Sequence, residues 1–238
     1  MNRELDFLTT ERLRLKEEYQ RRAREVSQVH YAPWHPAEIL VRSSIKRKAA
    51  LMLHDAGVFP CTRDHCLEIG FGTLGWLGDL ITWGVRETDL YGIELDESRV
   101  RQAKELLPTA KLFVGDAARL PWRDHSFRLV IASTVFTSIL DHRVRTLVAE
   151  EITRVLSPTG ALLWYDFEVN NPSNEHVRKV DRKELKQLFP QLSGEIKSVT
   201  LAPPLARFVA PKSWALANLL EAIPLLRTHL LAVLLPNP

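Results

Sequence analysis

The spacing of apolar and polar positions changes along this chain, and the changes mark out its elements. Residues 4–29 are densely charged. Leu5, Leu8, Leu13, Leu15, Tyr19, Ala23 and Val26 form an irregular apolar side there, which predicts a long surface helix. HYAPWHP (residues 30–36) interrupts it, because each proline disfavours helix at the residue before it. A second helix is predicted over 37–56, stopped by Gly57. Short apolar runs then alternate with helical patterns. Strands are predicted at 65–69, 90–95, 111–114, 127–133 and 161–167. Helices are predicted at 74–83, 97–107 and 141–156, the last stopped by Ser157-Pro158-Thr159-Gly160. The tail reads as helix 182–189, strand 195–201, helix 213–222 and strand 230–235, with the last two strands expected to pair antiparallel at the end of the sheet.

Strands alternating with helices of this length predict a parallel sheet covered on both faces. The fold class is therefore α/β, Rossmann-like and doubly wound: a mostly parallel seven-stranded sheet with an antiparallel end strand and an N-terminal helical cap. The expected division is a cap over residues 1–44 and a main domain over 45–238. The polar stretch NNPSNEH directly follows the carboxyl end of a strand, where open α/β sheets bind ligands.

Composition changes this picture little. Apolar residues make up 45% of the chain, enough for a substantial core. The net charge of +3 is uneven: residues 1–50 hold 11 Lys/Arg against 7 Asp/Glu, a net of +4, which leaves about −1 for the rest. An ordinary solvated helix face is the expected reading, with anion or RNA attraction as the alternative. Cys61 and Cys66 lack the second half of a metal site. Reduced thiols and a charged N-terminus without an apolar segment fit a cytoplasmic location with no signal peptide. The apolar C-terminal stretch is broken by Glu221, Pro224, Arg227 and His229, so no transmembrane segment is expected. The sequence sets no oligomeric state.

The chemistry starts at LEIGFGTLGWLG (residues 67–78), which holds four of the chain's 10 glycines. At Gly70 and Gly72 the backbone can bend tightly and approach a ligand. Gly75 is expected to ease helix packing. A pyrophosphate or a carboxylate would suit such a loop, but Glu68 beside it favours a ligand carrying an amino group. Glu94, in YGIELD, ends the second predicted strand and can accept two hydrogen bonds from ribose hydroxyls, which serves a nicotinamide dinucleotide equally well. Asp116, in VGDAARLPW, can accept an adenine amino proton while the Ala117 N–H donates to a ring nitrogen.

LEIGFGTLG, YGIELD, VGDAARLPW, FRLVIASTVF and EEITRVLSPTGALLWYDF, in this order and spacing, resemble the class I S-adenosylmethionine-dependent methyltransferases, most of all the branch labelled methyltransferase domain 11, which acts largely on small molecules. The resemblance covers about residues 45–170. It implies S-adenosylmethionine as cofactor. Glu68 with the Gly70-Phe71-Gly72 backbone would hold its methionine moiety, Glu94 the ribose, and Leu95, Asp116 and Ala117 the adenine, with Ser133 facing cofactor and substrate. Two positions depart from the family pattern: Leu74, where a third glycine often falls, and Arg128, where an aspartate usually begins the fourth strand.

Methyl transfer to a hydroxyl gains from a base. Candidates are His142 after the fourth strand, Asp166 at the end of the fifth, and His35 in the HYAPWHP break; His176 lies in the polar stretch. His30, Tyr31, Trp34 and Phe136 are candidate substrate contacts, the first three as a lid. Ser133-Thr134-Val135-Phe136 lacks the prolines of base amino-methylating enzymes, and no aspartate set for a metal is present. The expected activity is methyl transfer, by O- or N-methylation, to a small-molecule acceptor: a sugar, natural product or lipid precursor. RNA methylation and a non-catalytic cofactor-binding subunit are the alternatives, and nucleic acid is not the expected partner.

Overall fold

The computed structural model describes residues 2–25, 32–171 and 174–237. Seven strands form one sheet: β1 (Cys66–Ile69), β2 (Leu90–Glu94), β3 (Lys111–Val114), β4 (Phe127–Ser133), β5 (Leu156–Phe167), β6 (Leu192–Leu201) and β7 (Arg227–Pro236). Their order across the sheet is β3-β2-β1-β4-β5-β7-β6. Neighbours from β3 through β5 pair parallel, and β7 runs antiparallel to both β5 and β6. The antiparallel strand thus lies one place in from the edge. Its direction brings the start of β7 to the edge of the sheet where β1, β2, β4 and β5 end.

The helices are α1 (Asn2–Glu25), α2 (Pro36–Asp55), α3 (Leu77–Thr82), α4 (Glu97–Leu106), α5 (His142–Val155), α6 (Arg182–Leu188), α7 (Pro203–Val209) and α8 (Trp214–Ala222). Several start where a short polar side chain satisfies free backbone N–H groups. Asp96 accepts from Ser98 N at 2.8 Å, Asp141 from Arg143 N at 2.8 Å, and Ser213 from Leu216 N at 3.2 Å. The predicted 4–29 helix ends at Glu25 in the described part, and residues 26–31 lie outside it. α2 runs unbroken through residue 44, so the boundary expected there falls inside a helix.

Two tail features differ from expectation. α7 was not predicted; its Pro203 and Pro204 occupy the first helical turn, where the missing N–H costs nothing. Ser157–Gly160 is not a stop before β5 but part of it. The register jumps from Phe127↔Leu156 to Leu129↔Ala161, so these residues bulge out of the ladder, which is where a strand tolerates Pro158.

One core layer packs α5 and α6 against the sheet through Trp164, Phe136, Phe189, Val148 and Ile152. The other packs α2, α3 and α4 through Met52, Leu53, Leu77, Leu80 and Val100. A smaller cluster joins α2 to α7 and α8 through Leu40, Leu201, Ala206 and Ala217.

Candidate active site

A cleft of about 1640 Å³ opens along the carboxyl edge of the parallel strands, larger than a single drug-sized ligand requires. Its floor is the glycine loop. Gly70, Gly72 and Gly75 hold φ of +64°, +61° and +51°, a region that L side chains rarely adopt. A Cβ on Gly75 would lie 2.2 Å from Glu68 Oε1. Gly75 therefore makes room for a carboxylate, rather than easing helix packing as the sequence suggested. Glu68 is buried and accepts hydrogen bonds from Trp76 N at 2.7 Å and Leu77 N at 3.1 Å, fastening the end of β1 to the start of α3. A Cβ on Gly72 would meet nothing within 4 Å.

The other expected cofactor residues line the same cleft. Glu94, also buried, accepts from Gly72 N at 3.0 Å and Asp96 N at 3.1 Å, and so bridges the loops after β1 and β2. Asp116 accepts from Ala118 N at 2.9 Å in the turn after β3. Leu95, Ala117 and Ser133 face the cleft. Phe71 contributes mainly backbone: its ring packs where a Cβ on Gly92 would stand, 2.6 Å away.

The catalytic candidates lie elsewhere. Asp166 is fully buried and points back into the protein, accepting from Thr137 N and Phe167 N at 2.9 Å each and from the Thr137 hydroxyl. It holds the turn after β4, so Thr137 rather than Asp166 lines the cleft. His142 leaves most of its ring in solvent with Nδ1 3.6 Å from Glu184, which also binds Arg145 and Arg178 at 2.7 Å. Arg145, fully buried, clamps the segment after β5 through Arg178 O at 2.8 Å and Ile139 O at 2.7 Å. His35 caps α2, its Nδ1 accepting from Ala37 N at 3.2 Å. None of His142, Asp166 and His35 lines the cleft. Of the expected substrate contacts, Phe136 is sealed in the core against Phe189, Trp34 is 66% exposed outside the cleft, and His30 and Tyr31 lie outside the described residues.

The sequence reading missed the far wall. Tyr165 and Phe167 on β5, Thr200 on β6, and Thr228 and His229 on β7 line it. His229 stacks on Tyr165 with ring centroids 4.8 Å apart and planes 1° from parallel, and Phe167 flanks it at 3.8 Å. Its Nδ1 meets Thr228 Oγ1 at 3.0 Å, and among the described residues nothing bonds its Nε2. Burial pushes this imidazole down to about 3, so it is neutral at physiological pH. The Tyr165 hydroxyl meets Thr200 Oγ1 at 3.0 Å. Thr134 and Thr200 hold φ of +56° and +65°, uncommon for β-branched residues and concentrated at this edge.

α1 closes the cleft from above. Glu11 accepts from Leu140 N at 2.6 Å, and Tyr19 reaches the Glu94 end of the cleft under Arg99, whose guanidinium lies 4.7 Å from its ring. Burial and the Glu94 carboxylate push the Tyr19 hydroxyl up to about 12. Glu18 binds Arg21 and Arg22, with His176 at 3.7 Å. Burial alone would raise Glu18, but the two guanidiniums hold it at about 2. Arg14, Arg21, Arg22 and Arg42 thus pair with carboxylates of their own helices, which removes much of the basic face that motivated an RNA reading.

Burial pushes Glu68 up to about 8 and Asp166 up to about 7, against the backbone N–H groups that favour their charged forms. Both bind a proton in the folded state that the unfolded chain releases above about 4.5, so stability falls as pH rises toward 8. His229 acts in the opposite sense, but only between about 3 and 6.5. Between pH 6.5 and 8, unfolding of the cofactor-free protein in urea is expected to lose up to roughly 2 kcal/mol of stability. Glu68→Gln should flatten that dependence; an unchanged slope would mean that Glu68 is already ionised in the free protein.

Residues 66–160 match the family described as a methyltransferase domain. No protein of curated function matches the sequence. Among solved structures, the chain is similar to a geranyl diphosphate C-methyltransferase from Streptomyces coelicolor A3(2), with 12% identity, 80% of each chain covered and a TM-score of 0.61. It is also similar to the complex containing the Haloferax volcanii Trm112 methyltransferase activator, with 19% identity, 83% of this chain and 98% of that one covered, and a TM-score of 0.58. A third similar structure is the cyclase SpnF, with 16% identity, 81% and 82% covered, and a TM-score of 0.58. Residues 66–160 thus carry a methyltransferase domain, set in the fold these structures share, which is consistent with the resemblance to the class I S-adenosylmethionine-dependent methyltransferases. The residues present fit that cofactor: Glu94 at the end of β2 and Asp116 just after β3 line the cleft with carboxylates that could accept from a ribose diol and an adenine amino group, while the buried Glu68 fixes the glycine loop beside them.

Proposed function

We propose that this protein transfers a methyl group from S-adenosylmethionine to a small, uncharged acceptor. The observation that carries this reading is the division of the cleft. The lining given by β4 through β7 and α7 carries a single charged side chain, Arg207, while the charged residues come from α1, α2 and the loops after β1, β2 and β3; of these, Glu38 on α2 lies close enough to Tyr165 to act on its hydroxyl.

In this reading Glu68, through the Gly70–Gly72 loop, fixes the methionine end of the cofactor, Glu94 the ribose, and Asp116 with Ala117 the adenine. When bound, S-adenosylmethionine supplies a methyl group already activated by its sulfonium. The chain's remaining task is alignment, since a well-held nucleophile is worth several orders of magnitude in rate. Tyr165, His229 and Phe167 form an aromatic wall for the acceptor. The neutral His229 offers Nε2 to an acceptor hydroxyl or amine, while the Thr228 hydroxyl meets its other ring nitrogen. α1, within the cap proposed for residues 1–44, excludes water from the cofactor end.

Titration calorimetry with S-adenosylhomocysteine tests the first half: binding is expected, and its absence overturns the reading. Incubation with methyl-labelled cofactor and separate pools of neutral metabolites, total RNA and protein tests the second. Label is expected in the small-molecule fraction; label in RNA or protein overturns the acceptor assignment. Cofactor binding with no transfer to any pool would favour a non-catalytic subunit.

A further inference from the structure

The imidazole of His229 is 3% exposed and sits in an aromatic stack, with Tyr165 parallel to it at 4.8 Å and Phe167 tilted across it at 3.8 Å. Those contacts leave the edge of the ring for polar chemistry. On that edge Nδ1 meets Thr228 Oγ1 at 3.0 Å, and among the described residues Nε2 has no partner. The side-chain nitrogens and oxygens that are both unpartnered and sealed from solvent among the described residues are Arg14 Nη1, Arg128 Nη1 and Trp164 Nε1. His229 Nε2 is not one of them, so it has open surface, and the cleft is the opening that this ring lines. A nitrogen left this way forgoes a hydrogen bond in the folded protein, a loss that a ligand would recover.

The strands around this ring are distorted where they hold it. The β6–β7 ladder pairs Val199 with His229 and Leu201 with Arg227, and skips the step between them, Thr200 opposite Thr228. Thr200 holds φ +65° there, a conformation that a β-branched residue keeps only when its surroundings impose it. The two hydroxyls of the skipped step go to the stacked rings: Thr200 Oγ1 meets the Tyr165 hydroxyl at 3.0 Å, as Thr228 Oγ1 meets Nδ1 of His229. Both rings are thereby fixed at their polar ends. Backbone strain of this kind gathers at sites that must hold a side chain in one geometry.

We propose that His229 is a catalytic residue whose Nε2 takes the proton of an aryl hydroxyl on the acceptor while that oxygen is methylated. This role rests on the methyl transfer proposed above, and adds to it the acceptor's class and the reaction type, O-methylation of a phenol. Burial keeps the imidazole neutral, so Nε2 is free to accept a proton, but it also makes the ring a weak base. A weak base assists a phenol, with a pKa of about 10, far better than an alkyl hydroxyl, which lies near water at about 16. An amine acceptor needs only to be neutral and gains nothing from a base. The wall suits a ring, since Phe167, Pro203 and Pro204 line it beside Tyr165. In the step, the O–H bond breaks toward Nε2 and the oxygen–methyl bond forms. The methyl–sulfur bond of the cofactor breaks and leaves its electron pair on sulfur. The imidazolium gives its proton to water as the methyl ether leaves.

Methyl-labelled cofactor and a panel of phenols, with cyclohexanols and anilines of matching shape, test this role. The full-length protein should label phenols at least roughly tenfold faster than their matched alcohols and amines. His229→Gln, and His229→Phe, which keeps an aromatic ring in the stack, should each lose on the order of a hundredfold with ordinary phenols. A nitrophenol is largely ionised at about pH 8 and has no proton to give up, so both variants should methylate it at close to the wild-type rate. Their S-adenosylhomocysteine affinity should stay within about twofold of wild type. Calorimetry on S-adenosylhomocysteine-loaded protein should show the best phenol of the panel binding several-fold more weakly to His229→Phe. Faster labelling of anilines or alcohols, or labelling of no phenol, overturns the proposal. An equal loss with the nitrophenol and with ordinary phenols also overturns it, and makes His229 a structural part of the wall. Wild-type protein that fails to bind S-adenosylhomocysteine removes the methyl-transfer reading itself, and this role with it.

Discussion

Gly75→Ala is expected to abolish measurable cofactor binding and to destabilise the protein by about 2 to 5 kcal/mol. Two effects add. The backbone at residue 75 sits at φ +51°, which costs an L residue roughly 1 to 2 kcal/mol. The new methyl group would also stand 2.2 Å from Glu68 Oε1 and drive the carboxylate off Trp76 N and Leu77 N. Those buried N–H groups would then lack their acceptor, at roughly 1 to 3 kcal/mol. Gly72→Ala is the control. Its φ is similar, but a Cβ there meets nothing within 4 Å, so only the conformational cost of about 1 to 2 kcal/mol applies to stability. Urea denaturation of the two variants measures the difference. Equal losses would mean that Glu68 does not depend on the space Gly75 leaves.

Glu94→Ala is expected to weaken S-adenosylhomocysteine binding by a factor of roughly 100 to 1000, about 3 to 4 kcal/mol. The carboxylate already accepts from Gly72 N and Asp96 N, holding the loops after β1 and β2 at a fixed separation. Its two oxygens have room for further hydrogen bonds, which ribose hydroxyls would supply in the assignment proposed above. Removing the side chain therefore loses the ligand contacts and loosens the loop that frames them. Glu94→Gln keeps one oxygen acceptor and should fall between the two. Calorimetry decides: a loss smaller than about fivefold in Glu94→Ala would move the ribose to another part of the cleft.

The parallel half of the fold was legible because its signals are local. β1 through β4 and α4 through α5 follow from apolar runs, capping aspartates and glycines within a few residues of each element. The carboxylates Glu68, Glu94 and Asp116 were legible for the same reason, since each sits at or just after a strand end in a motif of fixed spacing. What the motif did not reveal is that Glu68 and Glu94 first hold the protein's own loops. That depends on atoms eight and twenty-two residues away. Two of the three base candidates, His142 and Asp166, were chosen by their nearness to strand ends. Asp166 is at such an end, but alternation along β5 sends it to the buried face, where Thr137 takes it up, and sends its neighbour Tyr165 to the cleft.

The sequence by itself determined the class of this protein, because a cofactor loop and the strands that carry it are encoded in short, ordered motifs. The tertiary structure alone decided the far wall of the cleft. Thr228 and His229 reach the cleft only because β7 runs antiparallel between β5 and β6, which turns its first residues to the edge where its neighbours end. Tyr19 reaches Glu94 only because α1 lies across the opening. Each of these depends on contacts between residues far apart in sequence, and such contacts leave no mark in local spacing.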